Sequence, residues 1–366
     1  MYDVIVIGAG VNGLSAAYHL LLEGKKVLLL EKGKAGKEAS HAAAGMLGAQ
    51  TEMHASRELF RFAVTCRDYF CGLAGELENT SGLTIQYRQE GAWRLACGIE
   101  EEQRLKKLTA LHHEEKEPAE YFSGEDVRKA LPFLKKKEVS GAAFFENETQ
   151  VDARSYTAAL IEAVQHLGGE IREQTEVRGI SRFSGKWQAA SPDGNFHSEK
   201  ILLAHGNGKI KGAAMPEMIP VKGECIALLP KEQPFSCTIV TPEVYLVPKA
   251  DGRVIVGATE TEGELSKTVR AGAVQYLLGR ALALVPELNE APVDEIWAGI
   301  RPKSPDGIPF AGKLEEDLYV LAGHYRNGIL MSGYSGRKTA EMMTGKNSEA
   351  LQFLQPDRRE TIEYSN

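Results

Sequence analysis

Apolar residues in the first thirty positions fall into three blocks with different spacing. Residues 4–7 ("VIVI") and 27–30 ("VLLL") are continuous apolar runs of strand length, while about 13–22 keep their apolar residues on a helical period. A short continuous run bounded by turn residues predicts a strand buried on both faces, and such strands pair in parallel across a connecting helix. The opening segment therefore predicts a strand–helix–strand unit with the glycine turn "GAGVNG" between first strand and helix.

Farther along, the alternation loses its regularity. "AWRLA" around Trp93 predicts a strand after a helical stretch, and residues 153–167 predict a helix followed by another strand. "PDG" at 192–194 marks a hairpin turn, and residues 200–204 read as a buried strand that ends in "HGNG". Three strands follow in "KGECIALLP", "VYLVPK" and "GRVIVGAT", the last two joined by a turn at Asp251 and Gly252. Such a run suits an antiparallel sheet, covered by a helix over about 267–284. "IWAGIRP" then reads as a buried strand through Ile296, Trp297 and Ile300 that returns the chain toward the first domain. Residues 318–321 predict a strand, and a last helix starts near Asn327 or Gly328. The tail "PDRRETIEYSN" reads as mobile.

With 366 residues the chain exceeds what one hydrophobic core organises, so two domains are expected. Hydrophobic residues at 43% and charged residues at 25% match ordinary globular proteins and exclude global disorder. The longest apolar runs are far short of the ~20 residues of a membrane span. "MYDVIVIG" has no basic segment of a signal peptide, so a cytoplasmic location is expected. The net charge of -7, with basic residues scattered, argues against a nucleic-acid partner and for a small molecule. Five cysteines, Cys66, Cys71, Cys97, Cys225 and Cys237, contain no C-x-x-C pair, so neither a zinc site nor a disulfide framework is indicated and mostly buried thiols are expected. His112 and His113 in "LHHEEKE" read as part of a solvated charged surface, and no metal site is expected.

Each glycine of the opening turn has a mechanical task. Gly8 permits the tight turn, Gly10 lets a pyrophosphate approach the backbone, and Gly13 lets the helix pack closely on the strand. The phosphates would rest on the helix amino terminus, and Glu31, about twenty residues on, would accept hydrogen bonds from an adenosine ribose. NAD and FAD share this fingerprint. Small residues over 42–49 leave room for a bulky planar group against the backbone; the alternative there is an alanine-rich packing helix. The late helix start near Gly328 offers a second positive dipole end, suited to the charge that a flavin gains near N1 and the C2 carbonyl on reduction.

Arg301 ends the apolar run of "WAGIRP", which would hold its guanidinium in a crevice where a planar fork could meet an anion. The alternative is a structural salt bridge to Asp306 or Glu295.

Together, "VIGAGVNG" with Glu31, "AAAGMLGA", "VKGEC", "YLVP", "VGAT", "WAGIRP" and "GHYRNGIL" resemble, in order and separation, the glycine oxidases of the D-amino-acid oxidase family of flavoenzymes. The resemblance implies an α/β (α+β) two-domain fold. A discontinuous Rossmann-like FAD-binding domain would take 1–80, 141–215 and 296–366, and an antiparallel-sheet substrate domain 81–140 and 216–295. It implies an FAD-dependent oxidase of glycine and other small amines, a link to thiamine precursor synthesis, and a homotetramer. Non-covalent FAD would be contacted by Val11 and Asn12, Glu31 and Lys32, Ala39 and Ser40, Ala44, Gly45 and Met46. Val177, on the strand after "REQTE", would hold the adenine end, with Gly206 as a further contact. His324, Tyr325, Arg326, Asn327, Gly328, Ile329 and Leu330 would wrap the flavin ring.

The resemblance also implies that Arg301 pairs with the substrate carboxylate, that Tyr245 lines the same pocket and that Arg326 is a substrate-side arginine. Gly48 and Thr51 would sit at the pocket mouth and limit substrate size. No dedicated catalytic base is implied, since positioning suffices for hydride transfer. No cysteine near "WAGIRP" offers a covalent flavin bond. The chain departs from the pattern at Glu260, an acid where an apolar pocket residue is implied, at "HGNGK" from His205, and at "SGYSG" from Ser332, which lacks a proline.

Overall fold

The computed structural model describes residues 1–52, 56–135, 139–215, 217–346 and 349–358. Two large sheets organise them. The first, eight strands among the described residues, runs Phe310–Glu315, Leu318–Ala322, Gly194–Leu203, Tyr2–Ile7, Val27–Leu30 and Glu170–Arg172, with Lys186–Ser191 and Gly179–Phe183 added by hairpin pairing. Tyr2–Ile7 is central and parallel to both neighbours, with Ile5 opposite Leu28 on one side and Ile201 on the other. Its residues 4–7 are buried on both faces, which explains the continuous apolar run.

Helices Val11–Leu22, Arg57–Ser81, Ala153–His166 and Gly328–Met343 share one core with the helical face of this sheet. Asp152 caps the third of these by accepting from Ser155 N at 2.7 Å. Burying that face, at about 25 cal/mol per Å² of apolar surface, is the main force holding the glycine turn in place.

The second sheet, nine strands among the described residues, centres on Ile219–Leu228, paired antiparallel with Val254–Gly257 and with Val293–Lys303. Tyr245–Pro248 and Val254–Gly257 form the hairpin expected around Asp251 and Gly252. One pairing is parallel, between Thr238–Val240 and Ala92–Ala96. Gly141–Phe145 also belongs to this sheet.

Four features of the sequence reading are corrected. The helix expected over 267–284 is Ala271–Leu284, because buried Lys222 takes the Thr268 carbonyl and buried Glu224 takes the Arg270 amide, removing those groups from a helical ladder. Ile296 is on the expected strand but exposed, while Ile300 is buried. His112 is not solvated: it is buried and stacked on Phe60, with ring centroids 5.0 Å apart. Of the cysteines, Cys71 and Cys97 are exposed.

At the carboxyl end, the guanidinium of Arg358 clamps both Asp306 oxygens at 2.9 Å, so the tail is anchored to that point; residues 359–366 lie outside the described ones. No group of metal-ligating side chains, and no helix long and apolar enough to cross a membrane, occurs among the described residues.

Candidate active site

The glycine turn closes against the end of strand Gly194–Leu203. A Cβ on Gly8 would lie 2.5 Å from the Ala204 carbonyl oxygen, and one on Gly13 would lie 2.0 Å from the Gly8 oxygen. Both positions therefore need glycine for backbone packing. Helix Val11–Leu22 begins at Gly10 with no side-chain cap on its axis, leaving first-turn amides without intrahelical partners. Ser40 accepts from Val11 N at 3.0 Å, bringing the small-residue segment over the turn. Glu31 is buried and accepts from Ala9 N at 2.8 Å and Gly33 N at 2.9 Å, so the acid first of all fixes the two backbone turns it joins.

A cavity opens from this turn toward the second sheet. Val11 and Asn12 line it from the helix start, and Ala39, Ser40, Ala44, Gly45 and Met46 from the small-residue segment. The 3-10 turn Tyr325–Asn327 and the start of helix Gly328–Met343 supply His324 through Ile329. The second sheet supplies Tyr245, Cys225 and Arg301.

Three strand glycines make room on that sheet. A Cβ on Gly223 would lie 2.4 Å from both terminal nitrogens of Arg301, one on Gly257 would lie 2.4 Å from the Tyr245 ring, and one on Gly299 would lie 2.3 Å from Ala42 Cβ. Glycine inside a strand signals such close approaches, and this signal could have marked all three from the sequence.

Arg301 is half-buried, and its guanidinium donates to the Thr259 carbonyl at 3.5 Å. Neither acid weighed as a structural partner is used: Asp306 is held by Arg358, and Glu295 is held bidentately by Arg154 at 2.8 and 2.9 Å. Among the described residues Arg301 forms no ion pair, so a cation projects into the cavity without a protein counter-ion.

Tyr245 is buried with its hydroxyl 3.5 Å from Cys225 Sγ, and burial raises both groups above their ordinary pKa, so both stay protonated. Cys225 corrects the reading that no cysteine stands near "WAGIRP": it pairs in register with Trp297 on the adjacent strand. Only strand pairing, invisible in linear order, brings them together.

His324 is buried, and burial lowers its imidazole to about 3. Its Nδ1 lies 3.2 Å from Asn12 Nδ2, so a neutral ring that accepts there links the first helix to the last. The other oxygen-bearing end of that amide, Asn12 Oδ1, is buried without a partner. A buried unpartnered acceptor on a cavity wall calls for a ligand donor, and a dinucleotide with hydroxyl and imide donors fits it. The glycine turn, the helix amino terminus and the alanine-lined cleft fit the same group.

Other predicted residues lie elsewhere. Thr51 does not line the cavity: it is buried and donates to Glu148 at 2.8 Å, and a Cβ on Gly48 would strike its hydroxyl at 2.4 Å. Glu148 thus fastens the loop that carries Gly48 and Glu52 to the cavity wall. Val177 is buried but falls between strands Glu170–Arg172 and Gly179–Phe183. Its neighbour Thr175 donates its amide to the Glu31 carbonyl, which keeps it beside the end of Val27–Leu30. Lys32 is exposed, Gly206 adopts a φ of 63° in the turn after Gly194–Leu203, and Leu330 is packed in the helical core. Glu260 lines a second, adjoining cavity, which shares Tyr245 and Arg326 with the first.

Comparison with known proteins agrees with this geometry. A family model described as FAD dependent oxidoreductase matches residues 3–342. Glycine oxidase from Bacillus licheniformis is 32% identical, the match covering 99% of this chain and 98% of that protein. The crystal structure of glycine oxidase from Geobacillus kaustophilus is 34% identical with a TM-score of 0.94, covering 98% of this chain and 99% of that one. The bifunctional protein ThiO/ThiG of Synechocystis sp. is 32% identical over 97% of this chain, which spans 54% of that longer protein. A glycine turn that opens onto a cleft shaped for a dinucleotide, with a match along nearly the whole length, shows that the chain belongs to the FAD dependent oxidoreductase family, alongside the glycine oxidases.

Proposed function

We propose that this protein oxidatively deaminates glycine and other small amines or D-amino acids, converting glycine, water and dioxygen to glyoxylate, ammonia and hydrogen peroxide. The observation that carries the reading is Arg301, a half-buried guanidinium with no ion-pair partner among the described residues, on the wall of the cavity that the glycine turn opens. Bound FAD supplies the hydride acceptor and hands its electrons to dioxygen.

The chain's own residues bind and orient. Arg301 takes the substrate carboxylate in two parallel hydrogen bonds, which fixes both position and rotation. Tyr245, protonated and beside Cys225, presents a hydroxyl and a ring edge to the same pocket. Asn12, the helix start at Gly10, the segment from Ala39 to Met46 and the turn His324–Ile329 would hold the FAD, and Glu31 would hold the glycine turn in place for it. The amino terminus of helix Gly328–Met343 opens onto the same cavity and would favour negative charge there.

Among the described residues no lining side chain is a free base: Tyr245 and Cys225 are kept protonated by burial, Glu52 is engaged by Arg326, and burial lowers His324 to about 3 with its Nδ1 already on Asn12. The amine therefore loses its proton to water, and rate comes from holding the substrate α-carbon in a reactive position.

Relatives named ThiO/ThiG support a role in supplying thiamine precursor synthesis. The reading includes non-covalent FAD, a cytoplasmic location and a homotetramer, the last to be measured by light scattering. The test of the reaction is an anaerobic bleaching panel with glycine, sarcosine, D-alanine and D-proline, paired with peroxide production in air. Bleaching without peroxide would make the protein a dehydrogenase; no bleaching with FAD retained would make it a non-catalytic flavoprotein.

A further inference from the structure

The departure at Glu260 has a definite place in the fold. It lies just beyond strand Val254–Gly257, and its carboxylate accepts from the Tyr325 hydroxyl and from Arg326 Nη1 at 3.3 Å. The same guanidinium is held from the other side by Glu52, with Nε at 2.8 Å and Nη2 at 3.0 Å from the two carboxylate oxygens. Arg326 is thus shared by two acids from two separate segments, and these acids hold its pKa above the ordinary arginine value. Arg326 and Tyr245 form the wall between the main cavity and its neighbour, in which Glu243 is paired with Arg280 at 2.8 Å. Arg94, whose guanidinium donates to the Thr51 carbonyl, lies behind Glu52 and lines neither cavity.

Resting on the reading that Arg301 grips a substrate carboxylate, we propose that Glu260, together with Glu52, is a specificity-determining residue that restricts the site to amines carrying a single carboxylate. Among the described residues two guanidinium groups face the main cavity, Arg301 and Arg326. Arg301 is available to an acid. Arg326 already has Nε and Nη2 on Glu52 and Nη1 on Glu260, so a second acid arm on the substrate meets an occupied guanidinium flanked by two carboxylates instead of a vacant cation. Remove the charge of Glu260 and Arg326 retains one acid, Glu52, with Nη1 released toward the adjoining cavity. That cavity gives a second carboxylate arm somewhere to go. The side chains of Arg326 and Glu260 are 37% and 49% exposed, so their ion pair contributes little to folding and its removal is felt in recognition.

The test uses the FAD-loaded protein and two ethers that cannot be oxidised as amines, methoxyacetate with one carboxylate and diglycolate with two, titrated by perturbation of flavin absorbance. In the unsubstituted protein methoxyacetate binds and diglycolate binds far more weakly. Glu260→Gln and, as a second variant, Glu260→Met shift the ratio of the two dissociation constants at least tenfold toward diglycolate, and adding Arg326→Gln returns the ratio to its starting value. A shift below tenfold in both Glu260 variants, or one that survives Arg326→Gln, overturns the inference. Binding needs no turnover, so methoxyacetate binding without oxidation of glycine would remove the proposed reaction and leave this inference standing. Failure to bind methoxyacetate at all would remove the Arg301 pocket and this inference with it.

Discussion

Gly223→Ala isolates the position of one guanidinium from the fold that carries it. A Cβ at residue 223 would stand 2.4 Å from Arg301 Nη1 and Nη2 and 2.5 Å from Cζ, while ordinary contact begins near 3.4 Å. The guanidinium must therefore retreat by about 1 Å, and it can, because it is the far end of a flexible side chain. Residue 223 sits in a strand in register with Gly299, its φ is not in the left-handed region, and alanine keeps that ladder.

Folding and FAD content should thus be retained. A retreat of that size costs one of the two hydrogen bonds to the substrate carboxylate, about 1.5–3 kcal/mol for a charged pair. At about 1.4 kcal/mol per tenfold, kcat/KM for glycine falls about 10- to 100-fold. The grip is the same before and during hydride transfer, so the loss appears chiefly as a higher KM. Steady-state kinetics with glycine, with FAD absorbance and thermal melting as controls, read the effect. A KM within twofold of the unsubstituted protein, with FAD retained, would refute the claim that Arg301 meets the substrate from this position.

Two more outcomes follow from the structure. The Lys249 amine, buried against Gln150 Oε1 at 3.0 Å and the Val151 carbonyl at 2.9 Å, is lowered from 10.5 to about 7 by burial. The folded chain therefore binds this proton less tightly than the unfolded one, and between about pH 7 and 10.5 unfolding takes up a proton, so stability from this group rises with pH across that window. The unsubstituted protein should gain in Tm over Lys249→Met as pH is raised through that window, and a constant difference would show that the amine does not titrate there. Acid precipitation should release the yellow colour to the supernatant, because burial keeps the Cys225 thiol protonated and a poor nucleophile. Colour that stays with the pellet would mean a covalent flavin.

What the sequence made legible was local. The run of residues 4–7, the glycines after it and Glu31 lie within one strand–helix–strand unit, whose geometry follows from spacing alone. That Arg301 sits on a strand was also legible, since it follows directly on "WAGI", and a side chain on a strand is held rather than free. What stayed hidden depends on register between distant strands. Cys225 meets Trp297 only through the pairing of Ile219–Leu228 with Val293–Lys303, and Glu52 meets Arg326 only because Glu148 fastens the loop before it. Thr51 resembled a small residue at a pocket mouth, yet its hydroxyl is drawn inward by that same buried carboxylate. His112 looked solvated because its neighbours are charged, but helical geometry puts it on the buried face with Leu105 and Thr109, against Phe60 and Phe145. The strand glycines 223, 257 and 299 were the clearest overlooked signal, each marking a close approach that a side chain would forbid.

Anaerobic mixing of glycine with the FAD-loaded Arg301→Met protein tests the carboxylate grip most directly. Loss of two charge-assisted hydrogen bonds, about 3–5 kcal/mol together, predicts an apparent Kd for glycine at least about 100-fold higher with FAD content retained. An unchanged Kd would mean that some other group holds the amino acid, and that Arg301 faces the cavity to no purpose of binding.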